Sequence, residues 1–339
     1  MTETIMNAVA YTRSLPIDDP ASLTDVVVDV PTAGPRDLLV EVRAVSVNPV
    51  DVKVRAGNDP QGVPKVLGFD AAGVVRAVGA DVTLFAPGDE VYYAGDIGRP
   101  GTDSQFHAVD ERIVAKKPTT LDFAQAAALP LTVITAWEGL FDKLRITAET
   151  TGTLLMVGAT GGVGSVVLQL VRTLVPGVRV IATAAGEDAV EWVRSLGAAD
   201  VVNHRRDLRD EVRRVAPDGI DYVFTAHSSG QVEIYADLLT PFGQIVAIDD
   251  PETLDVLPLK TKAISWHWEF MFARPMHDTP DLIRQQQLLT RVAELVDAGS
   301  LRTTATTVLS PIDAEQLREA HRLVEAGHVR GKVVVAPRS

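Results

Sequence analysis

The chain has 339 residues, 46% of them hydrophobic and 23% charged, with a formal net charge of −13. That length fits two domains with ample core, and the acidic balance argues against nucleic acid or an anionic membrane surface as partner. There is no cysteine, which excludes disulfides, thiolate metal sites and a cysteine nucleophile, and suits a reducing compartment such as the cytoplasm. No basic stretch followed by an apolar one opens the sequence, so no secretory signal is expected. Nor does any apolar run reach the about 18 residues of a membrane span.

The first third reads as β-rich. In Leu38–Ser46, Glu41 and Arg43 alternate with Val40, Val42 and Ala44, the pattern of a half-buried strand. Further strands are expected at Gly73–Gly79 and Asp89–Ala94, each bounded by turn residues. From residue 153 the rhythm changes to strands alternating with helices of about ten residues, the mark of a parallel sheet covered on both faces. Strands are expected at 153–158, 178–183, 200–202, 219–225 and 244–248, and helices at 163–174, 187–196 and 230–239. Pro176-Gly177 stops the first helix, and Gly197 caps the second. A long helix (281–298), a strand (304–309), a helix (313–326) and a strand (332–335) close the chain. Pattern alone does not say which domain this last group joins.

The most informative segment is Thr153-Leu-Leu-Met-Val-Gly-Ala-Thr-Gly-Gly-Val-Gly164. A strand runs into Gly158, Gly161 and Gly164 and a helix follows at once. One glycine makes the tight turn, one lets a diphosphate approach the backbone, and one lets helix and sheet pack closely. Free N–H groups at the helix start attract the anion.

Several strings then carry a wider resemblance: Asn48-Pro-Val-Asp51, Gly68-Phe-Asp70 before Ala-Ala-Gly73, Phe85–Val91, Ala126–Thr132 and Gly331-Lys-Val-Val334. Together with the glycine turn they resemble the medium-chain dehydrogenase/reductase superfamily, within it the zinc-lacking quinone oxidoreductase branch. Gly95–Gly101 and Ser265–Phe272 are similar to the group called zinc-type alcohol dehydrogenase-like. The resemblance implies an α/β fold: a Rossmann doubly wound parallel sheet (130–277) plus a β-rich GroES-like barrel domain (1–129 and 278–339), in a homodimer.

Zinc-dependent members hold their metal with a Cys, a His in a Gly-His-Glu string and a second Cys. Here Asn48 and Phe69 stand at the first two places, and the third, near Leu131, is apolar. Asp51 and Asp70 remain, but two carboxylates make a poor tetrahedral zinc site, and no histidine spacing replaces the lost ligands. No zinc or other metal is therefore expected.

Without a Lewis acid, simple alcohol oxidation lacks its activating group. Hydride addition to a quinone or enone needs less, since the charge moves to a distal oxygen that one or two donors can stabilise. The expected activity is NADPH-dependent reduction of quinones or α,β-unsaturated carbonyls. The alternatives are an NAD(P)-dependent alcohol or aldehyde dehydrogenase with an undetected metal, and a cofactor-binding protein without catalysis.

Among candidate residues, Asn48 can donate through its amide, and the resemblance places it beside nicotinamide and substrate. Its competing reading is a turn residue before Pro49. Asp51 could orient a neighbour, relay a proton, or be an exposed helix cap. Lys53 could stabilise an enolate or be solvated. Thr132 matches a nicotinamide contact. Phe69, Trp137 and Phe270 are candidates for an apolar substrate pocket. For the cofactor, the candidates are Gly158, Thr160, Gly161, Gly162, Val163, Gly164, Thr183, His204, Arg205, His227 and Lys332. No acid ends the strand at Ala184-Ala185-Gly186, as NAD binding would require, and Asn203-His-Arg-Arg206 offers cations for a 2′-phosphate, so NADPH is expected before NADH.

Overall fold

The computed structural model describes residues 4–337, which fall into two compact units: up to Leu131 together with the segment from Phe272, and Thr132–Met271.

The second unit holds a six-stranded sheet, every neighbouring pair parallel. Its spatial order is Asp200–Val202, Val178–Thr183, Gly152–Val157, Ile220–Thr225, Leu239–Ala247, Ser265–Trp268. The chain moves outward for three strands, then returns past the first and continues the other way. Such a reversal opens a crevice at the carboxyl ends of Gly152–Val157 and Ile220–Thr225, where ligands of doubly wound sheets sit. Apolar side chains including Leu155, Ile181, Val223 and Ile245 fill the layer between the sheet and the helices Leu208–Val215 and Val232–Leu238.

The helices at Gly162–Leu174 and Glu187–Leu196 and the strands at Val178–Thr183 and Asp200–Val202 lie where the sequence predicts them. The widest difference is at the helix–strand junction near residue 239. The expected helix 230–239 is shorter, Val232–Leu238, and the next strand starts at Leu239 rather than 244. Pro241 and Gly243 suggest a loop locally, yet Leu239 pairs with Ile220, so a tertiary partner overrides the turn signal.

The first unit is built on a seven-stranded sheet whose longest member is Asp37–Val47. That strand pairs antiparallel with Asp70–Val78 and Phe106–Asp110, and at its far end with Lys332–Val335. The closing strands Ala305–Leu309 and Lys332–Val335 thus belong to this sheet. The expected alternation holds from Val40 to Ala44, with Glu41 and Arg43 half-buried. It then stops, because Val45, Ser46 and Val47 lie opposite Val335, Val334 and Val333 and are buried on both faces. This change carries the polar residues Ser46 and Asn48 into a dry interior. A smaller sheet, Thr24–Asp29, Ile5–Tyr11 and Lys65–Val66, completes the unit.

Candidate active site

In the second unit the glycine turn is built as its residue types require. Gly158 has φ +84°, the left-handed region that favours glycine, and its N–H donates to Thr183 Oγ1 at 3.1 Å. The 97%-buried Thr183 hydroxyl therefore anchors the turn from the neighbouring strand. A Cβ on Gly164 would lie 2.5 Å from Ala159 Cα and from Gly158 O, so this position serves close packing. A Cβ on Gly161 would meet nothing nearer than Gly158 O at 3.7 Å, so space there is open on the ligand side. Gly158 is exposed, and Thr160, Gly161, Gly162 and Val163 are half-buried, leaving the helix start accessible to an anion. The residues present fit a dinucleotide diphosphate.

At the carboxyl ends of the next two strands lies a cavity of about 220 Å³ lined by Ala184, Gly186, Arg194, Asn203, Arg206 and Glu211, among others. Arg205, the arginine singled out in the sequence, is exposed and does not line it; Arg194 and Arg206 do. The signal for Arg194 was its place in the last turn of the helix Glu187–Leu196. His204 is exposed, and its pKa is lowered by partial burial first, then by the charges of Arg205 and His227, which places these three groups in one electrostatic neighbourhood. The His227 side chain is exposed, while its backbone is held by Thr225 and by Tyr235 Oη donating to its carbonyl at 2.6 Å.

In the first unit the organising group is Asp70, with no exposed surface. Its Oδ2 accepts from Ser46 Oγ and Asn48 Nδ2, each at 2.8 Å, and lies 3.3 Å from Lys332 Nζ. Its Oδ1 accepts from the Leu131 N–H at 2.7 Å, at the start of the helix Pro130–Trp137. A charge buried this deeply persists only when paired and hydrogen-bonded. Lys332, 4% exposed, also donates to Val47 O at 2.9 Å and Asn48 Oδ1 at 2.5 Å. Its three ammonium protons therefore have three internal acceptors. Burial lowers its pKa, opposed by the carboxylates of Asp70 and Asp51. Ser46 was missed in the sequence; a hydroxyl in the apolar run before Asn48 was the available signal.

Asn48 is 1% exposed and caps the helix Pro49–Gly57. Its oxygen is taken by Lys332 and one amide hydrogen by Asp70. The second hydrogen has only a long contact, 3.5 Å, to Ser46 O, and is the donor this residue could turn to a substrate oxygen. Asp51 is no exposed cap: it is 1% exposed, with Oδ2 accepting from the Asn48 N–H at 2.7 Å and Oδ1 lacking any hydrogen-bond partner. Burial pushes its pKa up to about 7, against the pull of the Asn48 N–H and Lys332. Lys53 lies two residues further along the same helix and is exposed, since positions i and i+2 point to different sides. The fold does not bring it to the buried cluster.

Phe69 is buried and meets Phe272 edge to face, centroids 5.0 Å apart. Trp137 packs on Phe141 at 4.7 Å, and Phe270 is 46% exposed. Thr132 is buried, immediately after the Leu131 N–H that Asp70 holds.

Comparison with known proteins agrees with this architecture. The alcohol dehydrogenase GroES-like domain family matches residues 34–119, and the zinc-binding dehydrogenase family matches 196–335. A zinc-type alcohol dehydrogenase-like protein of Staphylococcus epidermidis is 37% identical, over 97% of this chain and 99% of its own. The chain belongs to the medium-chain dehydrogenase/reductase superfamily. Within the superfamily it stands with the zinc-type alcohol dehydrogenase-like proteins, and it is an NAD(P)-dependent oxidoreductase. A human mitochondrial NAD(P)H oxidoreductase is 32% identical, over 89% of this chain and 82% of its own. A protein from Rhizobium etli, provisionally assigned as a zinc-dependent alcohol dehydrogenase, has a solved structure with TM-score 0.95 and 51% identity, covering 99% of both chains. The quinone oxidoreductase of Coxiella burnetii aligns with TM-score 0.81 and 25% identity, over 98% of this chain and 100% of its own.

The zinc that the family name suggests does not fit the side chains of this member. Asn48, Phe69 and Leu131 offer an amide oxygen, a ring and an alkyl group, and the amide oxygen already accepts from Lys332. Among the described residues no group of three or more His, Asp or Glu is placed to hold a metal ion. No helix among them is long and apolar enough to cross a membrane.

Proposed function

We propose that this enzyme is a zinc-independent reductase that uses NADPH to reduce quinones or α,β-unsaturated carbonyls. The observation that carries the proposal is the Asp70 cluster, where an ammonium, an amide and a hydroxyl satisfy one another around the places of the zinc ligands. Bound nicotinamide supplies the hydride. The protein contributes a dry setting and a donor. The second Asn48 amide hydrogen meets the charge that develops on the acceptor oxygen, in an interior where such a bond is worth more than in water. Thr132 is proposed as the nicotinamide contact. The preference for NADPH rests on Arg205 and Arg206 after the third strand and on Arg194, which lines the same cavity as Arg206, with His204 beside Arg205.

The test is NADPH oxidation against a panel of quinones, enones and aldehydes, before and after chelator treatment, with metal content measured alongside. Turnover of quinones or enones that survives metal removal supports the proposal; activity restricted to alcohols or aldehydes and lost with the metal overturns it. That second reading has support in the likeness to the Rhizobium etli protein. No turnover across the panel would favour a cofactor-binding protein instead. We also propose a homodimer formed through the edge strand Ser265–Trp268, which presents Trp268, 48% exposed, beyond the last paired strand. Sedimentation of Trp268→Glu as a dimer identical to the unsubstituted protein would remove that interface from consideration.

A further inference from the structure

One oxygen of Asp70, Oδ2, and the ammonium of Lys332 do more than neutralise each other. They meet the two ends of one side chain. An asparagine amide is nearly symmetric in shape, so packing alone leaves its oxygen and nitrogen interchangeable. Its partners are not interchangeable. An ammonium only donates and a carboxylate only accepts. Lys332 Nζ lies 2.5 Å from Asn48 Oδ1, and Asp70 Oδ2 lies 2.8 Å from Asn48 Nδ2. Turning the amide over would set N–H against ammonium and C=O against carboxylate, exchanging two charge-assisted bonds for two repulsions. Both charges are sealed from water, Asp70 at 0% and Lys332 at 4% exposure, so solvent does not soften the choice.

We propose that Lys332 and Asp70 are a positioning pair that fixes the direction of the Asn48 amide, so that its nitrogen and not its oxygen is presented to the acceptor. This rests on the reading above, in which Asn48 donates to the developing oxyanion. An amide presented the other way would offer a lone pair to that charge and oppose the reaction. Neither member of the pair touches the substrate; each acts through Asn48.

The decisive variant is Asp70→Asn with Lys332→Met, which removes both charges together so that neither member of the pair is left facing an absent partner. It is expected to bind NADPH with an unchanged Kd and to show kcat for the best quinone or enone lowered by on the order of 10-fold to 100-fold, the cost of a misplaced catalytic group. Asn48→Ala is then added to both backgrounds. If the pair works through Asn48, this substitution lowers kcat in the native background and changes it little in the paired variant. Full additivity, or native kcat in the paired variant, overturns the proposal. An Asn48→Ala variant with native kcat overturns the functional reading itself, an outcome distinct from additivity.

Should the paired variant fail to fold, the unsubstituted protein carries the test. With 15N-labelled asparagine, the Asn48 side-chain protons are assigned by their loss in Asn48→Ala. One should be shifted by its carboxylate bond and protected from exchange while its geminal partner is not shifted in that way. Equivalent protons, exchanging as fast as those of the exposed Asn58, overturn the fixed orientation.

Discussion

The two units solve opposite problems. In the first, around Asp70, polar groups are buried and nearly every donor and acceptor is already spent on another residue of the chain. In the second, the helix start at 160–163 is only half-buried and the Arg205 and Arg206 side chains are exposed. The first region stores its interactions internally, so altering it costs stability before it costs affinity. The second holds its interactions in reserve for a ligand, so altering it costs affinity first. One chain thus sets a spent polar network and an open glycine turn on differently constructed ground.

The strongest way to break this contrast is Asp70→Ala. It strands the Lys332 ammonium and leaves Ser46, Asn48 and Leu131 donors unsatisfied, which should cost about 3–5 kcal/mol in denaturant unfolding. A loss below about 1 kcal/mol would mean the network is not what holds the region together.

Next come two glycines of the same turn. Gly164→Ala places a Cβ 2.5 Å from Ala159 Cα and should lower stability by about 1–3 kcal/mol. Gly161→Ala meets only an ordinary 3.7 Å contact, so unfolding should be nearly unchanged while NADPH binding, read by fluorescence titration, weakens by about tenfold or more. The reverse pattern would contradict the separate roles given to these positions.

Acid response sharpens the comparison further, because two titrating groups of the first unit oppose each other. His321 is fully buried with neither ring nitrogen bonded, and burial, then Arg55, push its pKa down to about 3. The unfolded chain, with a histidine near about 6.5, binds the proton more readily. Stability from this group is therefore present above that value and is lost as pH falls. His321→Phe should lessen the loss of Tm on acidification. Asp51 works the other way. Its folded pKa is raised to about 7, against about 3.9 when unfolded. The stability it contributes is full below the unfolded value and disappears as pH rises toward 7. Asp51→Asn should flatten that part of the Tm profile, and an unchanged slope would mean Asp51 is ionised throughout.

The smallest effect is expected at the outer edge of the cofactor region. Arg206 is exposed and only 3.4 Å from Glu211, so Arg206→Glu should raise KM for NADPH several-fold with KM for NADH nearly constant. Arg205→Glu, from a residue outside the cavity, should do less. Equal effects on both cofactors would remove the basis for preferring NADPH.

Legibility in the sequence follows the same division. The Rossmann unit is local: apolar runs of six residues, helix stops at Pro176 and Gly197, and a glycine turn within one stretch announce it. Its edge strand Ser265–Trp268 escaped notice because only its pairing with Leu239–Ala247 makes it a strand. In the first unit, Ile5–Tyr11 and Thr24–Asp29 were equally silent, since each is defined by the other. The candidate site was half visible. Asn48, Asp51 and Asp70 could be named from short strings, but the bond from Lys332 to Asn48 spans 284 positions. No periodicity reports such a contact, and burial of Asp51 is a tertiary fact that a helix-cap pattern cannot distinguish from exposure.

That long span has a consequence for synthesis. Residues 132–271 form a contiguous unit, whereas the other is interrupted and resumes only at Phe272. A ribosome therefore delivers Ser46, Asn48 and Asp70 well before Lys332. During that interval the Asp70 carboxylate has no cation to justify its place indoors. The Asp70 cluster is completed only when Lys332–Val335 pairs with the much earlier strand Asp37–Val47, so one late pairing closes it.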